Sequence, residues 1–279
     1  MKKYALYNSL ACNGRGKELA MELKALYPDD EIIFQDVIEL QDYATYVKET
    51  DAPIVICGGD GTINKFANQT KGVRDGKEIY YFACGSGNDF MRDVAEEGEK
   101  IVRIDEYLKG LPTVIVKGTE YEFVNGVGYG IDGYCCEVGD KIRAQKPGAK
   151  IDYTGIAIKG LLFHYQTTGA TVTVDGETHT FDKVWLAPTM HGRYYGGGML
   201  PCPDQNRKDD KVSLMLFYGS GKLKTLMIFP NIFKGKHVKH DKHIKIFTGK
   251  EITVKFDEPR ALQIDGETIL DVAEYTVRI

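Results

Sequence analysis

The densest chemistry in the chain lies in Ile54-Val55-Ile56-Cys57-Gly58-Gly59-Asp60-Gly61-Thr62-Ile63-Asn64. A short β-branched apolar run of strand length ends in a glycine turn, and Ile63, Phe66 and Ala67 then mark one face of a helix. Such a junction exposes backbone N–H groups with little side-chain bulk, and the helix dipole adds to their pull on an anion. Thr62 is placed to cap the helix. Asp60 is the odd member, because a carboxylate repels phosphate unless a cation lies between them. The stretch therefore reads as a nucleotide site using Mg²⁺, with Asp60 near the metal or the reacting hydroxyl. The other reading is a glycine-rich turn with an aspartate cap. No Gly-x-x-x-x-Gly is followed by a lysine, so backbone amides and Mg²⁺ would have to hold the phosphates.

Two further loops carry glycines after strand-like runs. Asn8-Ser9-Leu10-Ala11-Cys12-Asn13-Gly14-Arg15-Gly16 follows residues 4–7, and Gly85-Ser86-Gly87-Asn88-Asp89-Phe90 follows residues 79–84. Strands at 31–34 and 54–57, with helices at 39–49 and 63–70 and another after the first loop, complete a strand–loop–helix alternation. That alternation marks a parallel α/β sheet, whose loops gather at the carboxyl edge where ligands bind. From about residue 112 the pattern changes. Strands are expected at 113–117, 120–125, 170–175, 183–187, 212–217, 243–247, 251–256 and 261–264, with helices only around 151–166 and 222–233. This half reads as a β-sandwich. The fold class is thus α/β followed by β, with domains at 1–117 and 118–279. Gly126-Val127-Gly128-Tyr129-Gly130 lacks the setting of a dinucleotide turn and reads as close backbone packing at the domain junction.

Composition narrows the setting. The chain has 279 residues, 43% hydrophobic and 27% charged, and a net charge of −4 gives no reason to expect nucleic acid as a partner. Six scattered cysteines without a Cys-x-x-Cys pair fit a reducing cytosol. The apolar part of the amino terminus, 4–11, is too short for a signal peptide and reads as a first strand, and no run is long enough to span a bilayer. Lys234, Lys236, Lys239, Lys242 and Lys245 interleave with His237, His240 and His243 after an apolar stretch at 223–233. These residues suit an anionic membrane surface. A core-packed helix with a solvated basic face is the commoner outcome for such a run. The histidines lack the cysteine or carboxylate partners of a metal site.

Taken together, the motifs resemble the diacylglycerol kinase catalytic family, which includes bacterial soluble lipid kinases and the sphingosine and ceramide kinases. The resemblance runs over nearly the whole chain. It rests on Gly58–Thr62 with Asn64, on Gly85–Phe90 with Arg92, and on Phe123-Val124-Asn125 with Gly128–Asp132. Tyr194-Tyr195-Gly196-Gly197-Gly198-Met199 with Pro201, and Asp265-Gly266-Glu267, complete it. The family implies a phosphofructokinase-like α/β nucleotide-binding domain joined to a β-sandwich lipid domain. It implies transfer of the ATP γ-phosphate, with Mg²⁺, to a lipid hydroxyl, diacylglycerol going to phosphatidic acid. On this resemblance the nucleotide contacts are Asn8, Ser9, Leu10, Ala11 and Cys12, then Gly58, Gly59, Asp60, Gly61, Thr62, Ile63 and Asn64, then Gly85, Ser86, Gly87 and Asn88. Glu267 is the proton acceptor, with Asp60 as the second catalytic carboxylate. Asp209, with carbonyls near Asn206 and Lys211, would hold a structural metal. The same Asp-Gly-Glu also reads as a plain hairpin turn, and Asp209 as a solvated loop residue.

The pattern departs from the family at Ser9 in place of proline, Cys12 in place of glycine, Ala83 in place of proline, and Asp210 in place of the glycine of an Asp-Gly pair. These changes bear on substrate detail and ATP affinity and leave the acidic residues in place. Two rivals share the first motif: an NAD kinase, and a nucleotide-binding protein without catalysis. The expected partner is a lipid at a membrane surface, met peripherally from the cytoplasmic side, with room for a homodimer.

Overall fold

The computed structural model describes residues 1–40, 42–85, 88–146, 149 and 151–279, with Cys12 and Asn13 described in backbone only. The chain divides into two compact units, Met1–Leu111 and Pro112–Ile279.

The first unit is built on β1 (Lys2–Tyr7), β2 (Glu31–Asp36), β3 (Ile54–Gly58), β4 (Ile79–Ala83) and β5 (Ile101–Arg103), in the order β2-β1-β3-β4-β5. The first four run parallel, and β5 is antiparallel to β4. Ile54, Val55, Ile56 and Cys57 are at most 1% exposed, as a central strand covered on both faces requires. Register sets the function of this sheet. Tyr7 lies beside Cys57, Cys57 beside Phe82, and Gly58 beside Ala83. The loops leaving β1, β3 and β4 therefore start at neighbouring points of one carboxyl edge.

The helix after β3 spans Asp60–Gln69, three residues earlier than the apolar face predicts, with Gly59 at its N-cap. Thr62 therefore does not cap it. The Gly59 carbonyl instead accepts from the Thr62 and Ile63 amides at 2.9 and 3.3 Å, and the turn closes without a side chain. The Thr62 side chain lies against Gly58, where an added Cβ would sit 2.3 Å from Thr62 Oγ1.

The second unit holds β6 (Thr113–Val116), β7 (Thr119–Glu122), β8 (Gly126–Tyr129), β9 (Thr168–Val174), β10 (Glu177–Val184), β11 (Thr189–Met190), β12 (Val212–Phe217), β13 (Ile244–Gly249), β14 (Glu251–Ile264) and β15 (Glu267–Arg278). They run in the order β13-β12-β11-β8-β14-β15-β6-β7, with the β9–β10 hairpin joined to β14. The strands expected at 251–256 and 261–264 are one, β14. Its first half pairs with β9 and its second with β8, while β15 follows its other edge. The register shifts between Lys255, Arg260 and Leu262 mark a bulge around Pro259, and across it the strand changes partner from β9 to β8. Val172, Val254, Val277, Leu214 and Phe256 fill the core between them, with Tyr129 stacked on Phe256 at 4.0 Å.

The longest helix of this unit among the described residues, Ile131–Gln145, was not expected. Its glycines hide it, and they are there for packing: a Cβ on Gly133 would lie 1.9 Å from the Ala261 carbonyl oxygen. Within the segment 126–130, Gly126–Tyr129 form the strand β8, and the close packing expected there is present, since a Cβ on Gly130 would lie 2.5 Å from the Trp185 carbonyl oxygen. Among the described residues, no helix is long and apolar enough to cross a membrane.

Candidate active site

Asp60 does something its sequence neighbours do not announce. Its two carboxylate oxygens accept the backbone N–H of Asp89 at 2.8 Å and of Phe90 at 3.0 Å. The carboxylate thus lies across the first turn of the helix Asp89–Val94, where unpaired amides and the dipole stabilise a negative charge. One glycine loop is bolted to the next. Tyr81 strengthens the joint, its hydroxyl bridging the Gly58 carbonyl at 3.1 Å and Asn88 Oδ1 at 3.3 Å. Asn88 takes the left-handed conformation at φ 34° and donates Nδ2–H to the Gly85 carbonyl at 2.8 Å. The two loops touch glycine to glycine, since a Cβ on Gly85 would stand 2.5 Å from the Gly59 Cα.

With Thr62 and Ile63 turned back on Gly59, the amides of Asp60 and Gly61 head the helix with no intrahelical acceptor. Nothing lies within 4 Å of the position a Cβ would take on Gly61. These residues fit an approaching phosphate group, and the Asp60 charge is already held by the neighbouring helix. Ile63 is fully buried in the core. Asn64 is also buried, and its Oδ1 accepts from Asn68 Nδ2 at 3.3 Å. Ser86, Gly87 and the side chain of Cys12 lie outside the described residues.

The first loop closes on itself and on β2. Asn8 Oδ1 accepts from the Leu10 amide at 2.9 Å, and the Ala11 amide donates to the Asn8 carbonyl at 3.0 Å. The Ser9 amide donates to Asp36 at 3.2 Å, a bond that proline would forfeit. Burial would raise the Asp36 carboxyl, but hydrogen bonds from Ser9 and Ile38 outweigh it and hold the group below its usual range. Gly16 is forced, because a Cβ there would meet the Asn8 carbonyl oxygen at 1.8 Å. Leu10 stands 70% exposed.

In the second unit, Asp265 and Gly266 form the two-residue turn between β14 and β15, both with positive φ (46° and 97°), as a type I′ hairpin demands. Asp265 is more than a turn residue. Its carboxylate accepts three backbone amides, from Val124 at 2.6 Å and from Asn125 and Gly126 at 2.9 Å. Gly266 N–H donates to Gln263 Oε1 at 2.7 Å, and Thr268 Oγ1 donates to Asp140 at 2.6 Å. The turn is therefore fixed from three directions while Glu267 itself stays exposed. A free carboxylate on an immobile frame can take a proton from a hydroxyl.

Asp132 and Gln263 were not among the residues proposed from sequence, although Asp132 closes the Gly128–Asp132 element. Asp132 Oδ1 accepts the Gly133 amide at 2.9 Å. Burial pushes its carboxyl up to about 6, against the opposing pull of Gly133, Tyr195 and Gln263. Asp132 and Gln263 crowd Gly128 so closely that a Cβ there would lie 1.7 Å from Asp132 Oδ2 and 2.4 Å from Gln263 Nε2. Asp132 thus sits beneath the residue that braces the Glu267 turn.

The metal-binding residues expected at Asp209, Asn206 and Lys211 come together, but around nitrogen. Gln205, 6% exposed, donates Nε2–H toward the carbonyls of Lys211 at 3.0 Å, His191 at 3.2 Å and Asn206 at 3.3 Å. Asn206 Nδ2 donates to Asp209 Oδ1 at 2.9 Å. The Asn206 and Lys211 carbonyls and Asp209 Oδ1 already accept from amides, and with Gln205 Nε2 among them these residues do not fit the metal. Among the described residues, no group of three or more His, Cys, Asp or Glu side chains has the arrangement of a metal site.

Two family models match the chain. Residues 2–118 match the family model "Diacylglycerol kinase catalytic domain", and residues 125–277 match "YegS C-terminal NAD kinase beta sandwich-like domain". The Bacillus subtilis (strain 168) protein named "Putative lipid kinase YtlR" is 24% identical over 85% of this chain and 79% of its own. A protein named diacylglycerol kinase from Mycobacterium tuberculosis (strain H37Rv) is 25% identical over 77% of this chain and 70% of its own. A crystal structure from Bacillus anthracis (str. Sterne), described as "a putative diacylglycerol kinase", shares the fold. Its TM-score is 0.70 over 99% of this chain and 91% of that one, at 19% identity.

Proposed function

The chain belongs to the diacylglycerol kinase catalytic-domain family, and from that premise we propose that it is an ATP- and Mg²⁺-dependent lipid kinase that phosphorylates diacylglycerol to phosphatidic acid at the cytoplasmic face of a membrane. The observation that carries the reading is the Asp60 carboxylate lying across the Asp89 and Phe90 amides. It leaves the Asp60 and Gly61 amides to meet a phosphate at the head of their own helix.

In this reading the three loops of the first unit hold ATP through backbone amides and small residues. Mg²⁺, when bound, supplies charge neutralisation at the phosphate oxygens. Asp60 fixes the second and third loops to each other and so positions the donors. Glu267 accepts the proton of the lipid hydroxyl as its oxygen bonds to the γ-phosphorus and the bond to the β-phosphate oxygen breaks, releasing ADP. Asp265, Gln263 and Asp132 hold the turn that carries Glu267. A second reading, phosphorylation of NAD, draws support from the NAD kinase-like description of the second unit's family.

Phosphate transfer from γ-labelled ATP tests both, with diacylglycerol in mixed micelles in one tube and NAD in another. Labelled lipid that disappears in Glu267→Ala and Asp60→Ala is the expected result. Labelled NADP without labelled lipid would replace the first reading by the second. Bound ATP without transfer to either acceptor would sink both.

A further inference from the structure

The bond from Thr268 to Asp140 is one link of a longer chain. Asp140 lies in the second half of the helix Ile131–Gln145, 128 residues from Thr268 in sequence, and its Oδ2 accepts the Thr268 hydroxyl at 2.6 Å. Its other oxygen, Oδ1, accepts Nη1–H of Arg143 at 2.8 Å. Arg143 turns its Nη2–H to the Tyr153 hydroxyl at 2.6 Å. Tyr153 opens the helix Tyr153–Lys159, and its ring lies against the first helix at Gly139, where an added Cβ would stand 3.0 Å from it. Two helices therefore reach the start of β15 through Asp140, Arg143 and Tyr153.

Stability does not explain this arrangement. The Asp140 and Arg143 side chains are 46% and 52% exposed, and an ion pair so placed adds little to folding. What it fixes is direction. A carboxylate alone on a helix surface can swing, whereas one held at Oδ1 by a planar guanidinium presents Oδ2 at a set point. That point is the Thr268 hydroxyl. Asp265 and Gly266 are held on the near side of Glu267, by the amides of Val124, Asn125 and Gly126 and by Gln263. Thr268 is the residue that follows Glu267. The ladder to Gln263 sets its spacing from β14, and the bond to Asp140 sets how the turn tips toward the helix. A strand sends successive side chains to opposite faces. A helix that grips Thr268 thus holds the Glu267 backbone and leaves the Glu267 carboxylate unoccupied.

We propose that Asp140, oriented by Arg143 and Tyr153, is a positioning residue that aims Glu267 by way of Thr268. The inference rests on the reading of Glu267 as the proton acceptor and names the helix that holds it in line.

Steady-state phosphate transfer to diacylglycerol and hydrogen exchange of residues 264–270, both on the full chain, test it. Thr268→Val and Asp140→Ala should each lower kcat about 10- to 100-fold, as a small misplacement of a base does, with KM for ATP unchanged. Thr268→Ser, which keeps the hydroxyl, and Asp140→Asn, which keeps an accepting oxygen, should recover most of that loss. In a Glu267→Ala protein, adding Thr268→Val should change the residual rate less than about twofold, because there is no base left to aim. The turn amides should exchange about tenfold faster or more in Thr268→Val and Asp140→Ala, as befits a lost bond to a charged group. Wild-type kcat in Thr268→Val and Asp140→Ala, with Glu267→Ala slow, overturns this proposal alone. An equal fractional loss with and without Glu267 overturns it too, since the role would then be merely structural. So does a failure of Thr268→Ser and Asp140→Asn to recover. Glu267→Ala as fast as the wild type sinks the assignment of the base and this proposal with it. A chain that phosphorylates no acceptor sinks the kinase reading, and the exchange measurement, which needs no substrate, then decides: unchanged exchange at 264–270 overturns the brace, and faster exchange supports it.

Discussion

Asp132 offers the sharpest quantitative test of the second unit. It is buried beneath the Gln263 side chain that braces the Glu267 turn, and burial pushes its carboxyl from an ordinary 3.8 up to about 6. The folded chain therefore binds this proton more tightly than the unfolded chain does. Its contribution to stability is fully present below pH 3.8 and is lost as pH rises through 6. The whole difference is about 3 kcal/mol, at roughly 1.36 kcal/mol for each pH unit separating the two values. Asp132→Asn keeps the shape and removes the titration. Urea unfolding of both proteins, followed across pH 4 to 7.5, reads the effect. The single tryptophan, Trp185, is 4% exposed in the second unit, and its fluorescence reports that unit's transition. Other carboxylates titrate in both proteins, so the quantity to follow is the stability of the variant minus that of the wild type. It should rise by about 2.4 kcal/mol between pH 4 and pH 7.5, nearly all of it below pH 6.5, the rest of the difference lying below pH 4. A difference that stays flat within about 0.5 kcal/mol would mean that Asp132 titrates as an ordinary aspartate. The argument from burial would then be wrong.

Glu267→Ala should lower kcat about 10²–10⁴-fold with an unchanged melting midpoint, because the exposed side chain is not what holds its turn. Asp265→Ala should do the reverse in emphasis, costing about 3 kcal/mol or more in urea unfolding as three amide donors lose one carboxylate. Gly85→Ala should abolish saturable ATP binding and cost about 1–3 kcal/mol, since its Cβ would press on the Gly59 Cα; titration calorimetry with ATP checks it. Ser9→Pro, which restores the family's residue, should destabilise the first unit by about 1–3 kcal/mol through the lost bond to Asp36. Gln205 makes a metal-removal prediction. The Trp185 transition of the wild type should not move with EDTA or Mg²⁺. Gln205→Ala, which leaves three carbonyls unserved, should melt lower and recover part of the loss in Mg²⁺.

What could be read from the chain, and what could not, divides by distance along it. The strand expected at 54–57 was legible because β-branching and strand length act over a few residues. The loop expected at 8–16, in contrast, contains the helix Ala11–Gly14 and the start of another at Gly16, and Asp89 and Phe90 already belong to the helix Asp89–Val94. The parallel order of strands then follows, and with it the shared edge. The helix Ile131–Gln145 was illegible for a physical reason. Gly133 and Gly139 weaken helix propensity, and they are kept because Ala261 and the Tyr153 ring leave no room for a side chain. The strands expected at 251–256 and 261–264 are one bent strand that passes through Pro259, a residue that cannot donate to a ladder.

The site divides in the same way, and the division bears on how its carboxylates should be judged. Asp60, Asp265 and Glu267 look alike as acidic residues beside glycines. Asp60 binds amides 29 and 30 residues away, and Asp265 binds amides 139 to 141 residues away. No local pattern carries either fact. Both direct their carboxylate oxygens at backbone N–H groups and so brace one segment against another. Glu267 is exposed and has its backbone, not its carboxylate, held in place. Among the described residues the Glu267 carboxylate braces no backbone segment, so rate should depend on Glu267 chemically and on the two aspartates geometrically. A conservative Asp60→Asn change tests that split. An amide can still accept one of the two N–H bonds from Asp89 and Phe90 through its oxygen. Part of the activity lost in Asp60→Ala should therefore return in Asp60→Asn, whereas Glu267→Gln, which cannot take the proton, should be as slow as Glu267→Ala. Equal loss in Asp60→Asn and Asp60→Ala would instead assign Asp60 a role that needs its charge.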